Sequence, residues 1–145
     1  MVAPQLLSSN TDEWATPQDL FDKLDACFHF TLDPCATDEN HKAPKYFTRV
    51  QDGLKQDWGR EVIWCNPPYG RKIGNWIKKC AEHRGVAVML IPARTDTRWW
   101  HDYIDGNPNA SVHFIKGRLK FGGAKNPAPF PSAIVIYTNW SQHDD

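Results

Sequence analysis

Residues 66–69, with the sequence NPPY, combine groups that could hold and orient a planar polar ligand. They follow the apolar segment EVIWC, whose composition is typical of a buried strand. Because proline cannot donate to a sheet hydrogen-bond ladder, the strand must end or leave the sheet at Pro67. The Asn66 amide offers one carbonyl and one amino group, and we expect the Tyr69 ring to be exposed beside it. The motif therefore predicts a rigid pocket. The alternative is a polyproline-like turn after a strand, with Asn66 as the turn former and Tyr69 covering the core.

A second predicted strand end carries an acidic residue. The segment HFTLDPCA alternates between apolar and polar residues, and we expect its strand to end at Asp33-Pro34. Ligands of parallel sheets bind outside the carboxyl ends of the strands. Asp33 and Asn66 are therefore expected on the same rim, and side by side if their two strands are neighbours.

The elements that position these residues alternate between strand and helix. Apolar residues at helical spacing predict helices in TPQDLFDKLDACF, IGNWIKKCAEH and around TRWWHDYI. In the first helix, Thr16 is expected to be the N-cap, Pro17 the first helical residue and Asp19 the capping-box acid. Residues 37–57 are expected to be mostly loop, with a short helix or strand. Further strands are predicted in GVAVMLIPA, SVHFIKG and SAIVIYT.

This alternation predicts the α/β fold class, with a mainly parallel sheet covered by helices on both faces. The interval between Asp33 and Asn66 is too short for two strand–helix units, so one wing of the sheet should be abbreviated. At 145 residues the chain has room for one domain. We expect that domain at residues 13–140, between a flexible tail at 1–12 and a second tail at 141–145.

The composition is typical of a soluble globular protein, with 41% apolar and 23% charged residues. The sequence contains no run of about 18 apolar residues, as a membrane span requires, and no secretion signal. We therefore expect a cytoplasmic protein without membrane association. The spacing of the four cysteines predicts reduced thiols and no bound metal, rather than a zinc site or a disulfide framework. They are Cys27, Cys35, Cys65 and Cys80, in or beside predicted core segments.

The charge is balanced overall, with 17 basic and 17 acidic residues, but it is unevenly distributed. Residues 71–125 contain 11 Lys and Arg residues against four Asp and Glu residues, a net charge of +7. Trp76, Trp99, Trp100 and Tyr103 lie between these charges. A solvated face would explain such a distribution, and a polyanionic partner explains it at least as well.

Six segments of the chain, taken in order, resemble the short phage-type DNA N6-adenine methyltransferases, which are Dam-like and use S-adenosylmethionine. The NPPY segment is similar to the Asn/Asp/Ser-Pro-Pro-aromatic motif of amino-methyltransferases. The resemblance implies a Rossmann-like domain that methylates adenine N6 in double-stranded DNA, without a metal, inside a bacterial host. The six segments are EWATPQDLFDKL, LDPCA, NPPYG, IPARTDTRWW, GRLKFGG and APFPSAIVIY.

The resemblance also implies catalytic roles for the NPPY residues. The Asn66 side-chain carbonyl and the Pro67 backbone carbonyl would accept the two N–H bonds of the adenine amine. Tyr69 would stack on the adenine after the base has been flipped out of the duplex. Positioning and electrostatics would then be sufficient for catalysis, without a covalent intermediate.

Cofactor contacts are implied for residues at the opposite wall of the site. Asp33 would lie near the methionine moiety or ribose of S-adenosylmethionine, and Asp57 would accept from its adenine amine. Thr16 and Pro17 would contact its carboxylate. The glycine-rich turn usual after the first strand of methyltransferases is replaced here by Pro34-Cys35-Ala36. The full implied set of cofactor residues is Thr16, Pro17, Asp33, Pro34, Asp57 and Asn66.

Basic residues on the same rim are implied to contact DNA phosphates or guanine edges. Arg94 is the strongest of these candidates, since it follows a buried strand directly. The implied DNA-binding set is Tyr69, Arg94, Arg98, Arg118 and Lys120.

Three other functions remain open from the sequence. NPPY would also suit a methyltransferase that acts on a protein glutamine or on cytosine N4, and a catalytically inactive DNA-binding module could keep the same fold. The sequence also leaves open whether the protein is a monomer or a homodimer.

Overall fold

The computed structural model describes residues 14–139, so the predicted tails at 1–12 and 141–145 lie outside the described residues. Within this range the chain forms three α-helices, one 3-10 helix and six strands. The helices are α1 (Gln18–Phe28), α2 (Ile73–Glu82) and α3 (Arg98–Tyr103), with the 3-10 helix at Gly53–Lys55. The strands are β1 (Leu32–Ala36), β2 (Lys45–Thr48), β3 (Ile63–Cys65), β4 (Val86–Pro92), β5 (Ala110–Phe114) and β6 (Ser132–Thr138).

The six strands form one mixed sheet in the order β2-β1-β3-β4-β6-β5. The four strands from β2 to β4 are parallel neighbours, whereas β6 runs antiparallel to both β4 and β5. The α/β class is thereby confirmed. Five strands share one direction, and β6 opposes them because it returns from β5 as the second strand of a long hairpin.

Helices cover both faces of this sheet. The ring of Phe21 in α1 lies 5.5 Å from that of Trp64 in β3, while Cys80 in α2 interacts with Cys65. Since neighbouring residues of a strand face opposite sides, α1 and α2 pack on opposite faces. The α2 helix begins and ends close to the predicted positions, and its buried face is formed by Ile73, Trp76, Ile77 and Cys80.

The wing beyond β1 is short, as expected from the interval between the two motifs. No α-helix lies within residues 37–62, all of which the structure describes. Strand β2 and the 3-10 helix fill this interval instead. The 3-10 helix packs tightly on β1, because a Cβ atom added at Gly53 would lie 2.3 Å from the carbonyl oxygen of Pro34.

Two predictions about the ends of elements are wrong. Strand β1 does not end at Asp33-Pro34 but continues to Ala36, and a register irregularity between Asp33 and Ala36 accommodates the proline. Helix α1 begins at Gln18 with Pro17 as its N-cap, so Pro17 is not the first helical residue and Thr16 does not cap the helix. The Thr16 hydroxyl accepts from Asn66 instead.

Cys27, expected in or beside the core, is exposed, and the buried residue of α1 is Phe21. Phe21 contacts both Phe30 and Trp64, so the helix is rotated to place this ring in the core.

Candidate active site

A crevice lies outside the carboxyl ends of β1 and β3. The chain leaves β1 toward β2 on one side and leaves β3 toward β4 on the other, so the strand order reverses between these two strands. The cavity has a volume of about 810 Å³, within the range of about 300–1,000 Å³ that is typical of small-ligand sites. Its walls come from residues within 14–16, 33–42, 48–54 and 64–76.

Asn66 lies at the centre of this crevice, directly after β3. Its Nδ2 donates hydrogen bonds to the carbonyl oxygen of Trp14 and, at 2.9 Å, to Oγ1 of Thr16. Because the Trp14 carbonyl can only accept, this contact fixes which end of the amide faces the N-terminal segment. The buried Oδ1 of Asn66 has no hydrogen-bond partner among residues 14–139. The side chain therefore presents an oriented acceptor.

Asp33 lies on the neighbouring strand and is buried, with 4% of its surface exposed. Its two carboxylate oxygens accept from the backbone N–H groups of Cys35, at 3.1 Å, and Lys42, at 2.9 Å. Burial raises the pKa of Asp33, although the two backbone donors favour the charged form and oppose that shift. The crevice thus contains a rigidly held acidic group on the β1 side.

The expectation that Tyr69 is exposed is wrong. Its side chain is 7% exposed, and its ring makes edge contacts with Phe121 and Phe130. Its hydroxyl donates to the carbonyl oxygen of Leu90 at 3.1 Å, and burial raises its pKa well above the usual value. The β5–β6 connection carries both phenylalanines over Tyr69, which the local sequence around NPPY does not indicate. Stacking of Tyr69 on a base stays a prediction.

The structure brings four of the six predicted cofactor residues to the crevice. Thr16, Asp33, Pro34 and Asn66 line it. Pro17 stands just before α1 and does not line it, since the chain turns away into the helix at that point. Asp57 does not line the crevice either. Asp57 is exposed in a turn before β3, where its carboxylate accepts from the Gly59 N–H at 2.8 Å.

The predicted DNA-binding arginines and lysine lie outside the crevice. All four are exposed: Arg94, Arg98, Arg118 and Lys120. The guanidinium of Arg94 lies 6.0 Å from the centre of the Phe130 ring, and Phe130 contacts Tyr69. Arg94 is therefore connected to the NPPY segment through one aromatic ring. Pro67, the other predicted catalytic residue, is buried and lines the crevice.

Three aromatic residues at this site had no role predicted from the sequence: Trp14, Phe121 and Phe130. Trp14 contributes its carbonyl oxygen to Asn66, and its ring contacts Phe121 and Phe130. All three residues lie in the segments EWATPQDLFDKL, GRLKFGG and APFPSAIVIY. The aromatic residues within these segments were the available signal.

Residues 14–139 contain neither a metal-binding cluster nor a membrane-spanning helix. Among the described residues, no group of three or more His, Cys, Asp or Glu side chains is placed to hold a metal ion. None of the helices within residues 14–139 is both long enough and apolar enough to cross a membrane.

The chain is similar to known proteins over nearly its whole length. The sequence profile of the family described as DNA N-6-adenine-methyltransferase (Dam) matches residues 4–143. A protein of Escherichia phage T1, named DNA N-6-adenine-methyltransferase, is 33% identical over 94 residues. That match covers 61% of this chain and 39% of the phage protein, so the aligned part spans about two fifths of this relative. Because the profile match extends over nearly the whole sequence, the chain belongs to the DNA N-6-adenine-methyltransferase (Dam) family.

Proposed function

We propose that this protein transfers a methyl group from S-adenosylmethionine to the exocyclic N6 amine of adenine in double-stranded DNA. The observation that carries the proposal is the Asn66 amide. Both of its N–H bonds are directed to the N-terminal segment, and its buried Oδ1 is left as an acceptor at the crevice. An amino group of a substrate base would supply the missing donor.

Methyl transfer to an amine requires little beyond this orientation of the Asn66 acceptor. When Asn66 Oδ1 accepts an N–H of the adenine amine, and the Pro67 carbonyl accepts the other, the nitrogen lone pair turns away from the ring. S-adenosylmethionine, when bound, supplies an electrophilic methyl group. Fixed acceptors in the crevice stabilise the positive charge that develops on the amine nitrogen.

The residues of the crevice fit S-adenosylmethionine as the methyl donor. The cavity is large enough for a nucleoside with an amino-acid chain, and the Asp33 carboxylate offers an acidic group to its hydroxyl or ammonium groups. We propose that Thr16, Asp33, Pro34 and Asn66 contact it, that Tyr69 supports the flipped base, and that residues 13–140 form one Rossmann-like methyltransferase domain. Asp57 is omitted from this set because it lies outside the crevice.

The DNA is proposed to lie across the rim that carries Arg94, Arg98, Arg118 and Lys120. Their exposure and positive charge support contacts with phosphates. The phage T1 relative supports action on DNA within a bacterial host cell.

The test is methyl transfer from radiolabelled S-adenosylmethionine to unmethylated duplex DNA, followed by base analysis. We expect N6-methyladenine from the native protein. Asn66→Ala should reduce turnover by about 10² to 10³-fold, by analogy with the loss of one oxyanion-hole donor. Asn66→Asp, which keeps an acceptor, should be milder. Normal turnover by Asn66→Ala, or label in cytosine or in protein, would contradict the proposal.

A further inference from the structure

We propose that Cys35 and Cys65 form a dithiol beside the crevice that hydrogen peroxide oxidises to a disulfide, and that this disulfide lowers methyl transfer. The two Sγ atoms are 3.7 Å apart. The disulfide itself is independent of the proposed function, whereas its effect on methyl transfer rests on that function.

The two residues lie on neighbouring parallel strands, β1 and β3. Neighbouring strands are about 4.8 Å apart, and disulfides join residues whose Cα atoms are about 4.4–6.8 Å apart. An S–S bond is about 2.05 Å long, so the sulfur atoms must approach each other by about 1.6 Å. Side-chain rotation with a small movement of the strand ends supplies this approach.

Accessibility selects Cys35 as the thiol that reacts first. Cys35 is partly exposed and lines the crevice, whereas Cys65 and the neighbouring Cys80 have no exposed surface. Burial raises the pKa of both the Cys65 and the Cys80 thiol well above its usual value, which keeps them protonated and slow toward peroxide.

The reaction balances with hydrogen peroxide as the oxidant. The Cys35 thiolate attacks one peroxide oxygen, the O–O bond breaks, and the product is a sulfenic acid with release of one water after proton uptake. The Cys65 sulfur then displaces the hydroxyl group from the Cys35 sulfur. The leaving hydroxide takes the Cys65 proton, so that two thiols and one peroxide give one disulfide and two waters.

The new bond would disturb both walls of the crevice. Cys65 is bonded directly to Asn66, and the backbone N–H of Cys35 donates to Asp33. A misplacement of about 1 Å in an active site can reduce the rate by about 10²-fold. We expect turnover of the oxidised protein to fall by about tenfold or more.

The experiment uses the full chain with Cys27→Ser, because Cys27 and Cys35 lie in the same tryptic peptide, residues 24–42. The protein is treated with hydrogen peroxide, its remaining thiols are blocked, and its tryptic peptides are analysed by mass spectrometry without reduction. We expect peptide 24–42 linked to peptide 61–71, with the loss of two hydrogen atoms. Dithiothreitol should remove the link and restore turnover.

Matched variants in this background isolate the pair. Cys35→Ser and Cys65→Ala should lose the linked peptide and keep their own untreated turnover after peroxide, whereas Cys80→Ala should keep both the link and the sensitivity. A link between peptides 61–71 and 80–84, or no link to peptide 24–42, would overturn the dithiol. Equal peroxide sensitivity of Cys35→Ser would overturn the effect on methyl transfer. If the untreated protein methylates no DNA, the proposed function fails, while the peptide link still decides the dithiol.

Discussion

At the scale of single residues, the site depends on how the Asn66 amide is held. Its two donors are used by Trp14 and Thr16, residues 52 and 50 positions earlier in the chain. A free amide could rotate and present its amino group to the substrate, which would repel an amine N–H. The N-terminal segment therefore orients the acceptor of the site as well as lining it.

Thr16→Val removes the hydroxyl that accepts from Asn66 and keeps the shape of the side chain. One hydrogen bond contributes about 1 kcal/mol, so we expect single-turnover methylation at saturating cofactor to slow by about fivefold. Thr16→Ser should restore most of the rate. If Thr16→Val were as fast as the native protein while Thr16→Ser were slower, the hydroxyl would not position Asn66.

Tyr69 has a structural contact that constrains its variants. Tyr69→Phe loses only the hydrogen bond to the Leu90 carbonyl, about 1 kcal/mol of stability, and should keep much of the activity, since it retains the ring. Tyr69→Ala also leaves a cavity beneath Phe121 and Phe130 and should cost about 3–5 kcal/mol. Urea unfolding and 2-aminopurine fluorescence at the target base would measure both effects. A Tyr69→Phe variant as inactive as Tyr69→Ala would exclude stacking as the role.

At the scale of elements, the NPPY segment follows the short strand β3, which is held in the sheet by the longer strands β4 and β6. Strand β3 has only three residues, all buried, and pairs with β4 from Ile63↔Ala87 to Cys65↔Met89. Every residue of β4 is buried, and β4 pairs with β6 along its full length. The end of β3, and with it Asn66, is thus fixed by the centre of the sheet.

The wall of the crevice on the β1 side depends on the close packing of the 3-10 helix on β1. Gly53→Ala would place a Cβ 2.3 Å from the Pro34 carbonyl oxygen, so the backbone must shift. We expect a loss of about 1–3 kcal/mol in the free energy of unfolding and weaker cofactor binding by calorimetry. Gly74→Ala is the matched control, since its Cβ would lie in ordinary contact, 3.5 Å from Trp99, inside α2. That change should stabilise the protein by about 0.5–1 kcal/mol. Equal effects of the two substitutions would contradict the packing argument.

At the scale of the whole molecule, the net charge is zero, so a non-specific attraction of the whole chain to DNA is absent. Electrostatic attraction to DNA must therefore come from a local group of exposed basic residues, which we propose to be Arg94, Arg98, Arg118 and Lys120.

Binding to duplex DNA should depend steeply on salt. If about five phosphates are neutralised, the slope of log K against log salt concentration should be about −4 to −5. Arg118→Ala and Lys120→Ala should weaken binding to all sequences alike and reduce the slope by about one each. Arg94→Ala should instead lower turnover or relax site choice, because Arg94 contacts Phe130. A slope near zero, measured by fluorescence anisotropy, would exclude the rim as the DNA surface.

The free energy of unfolding should depend on pH through the ionisation of Asp33. Burial raises its pKa from the usual 3.8. Between pH 3.8 and the native pKa, the native state therefore retains a proton that the unfolded chain has lost. The contribution of Asp33 to the free energy of unfolding is therefore largest below pH 3.8 and falls as the pH rises through its native pKa. Asp33→Asn cannot ionise, so in urea titrations its stability should fall less than that of the native protein as the pH rises from 3.8 through the native pKa of Asp33. Parallel pH profiles would contradict the raised pKa. The same variant should bind S-adenosylmethionine weakly.

The sequence by itself determined the features that depend on short-range patterns. Helix α2, strand β4 and the position of Asn66 at a strand end follow from periodicity and from the inability of proline to continue a ladder. The shared rim of Asp33 and Asn66 follows because parallel strands end on one side. The helix, the strand and the strand end involve neighbours within a few residues, so the local sequence specifies them.

Only the tertiary structure decided which distant residues meet. The bond from Asn66 to Thr16, the burial of Tyr69 under Phe130 and the 3.7 Å separation of Cys35 and Cys65 join positions 30 to 61 residues apart. Such contacts depend on strand order, on the antiparallel insertion of β6 and on the path of its long connection. Periodicity carries no information on these, because the same local pattern is compatible with either neighbour and either direction of a strand.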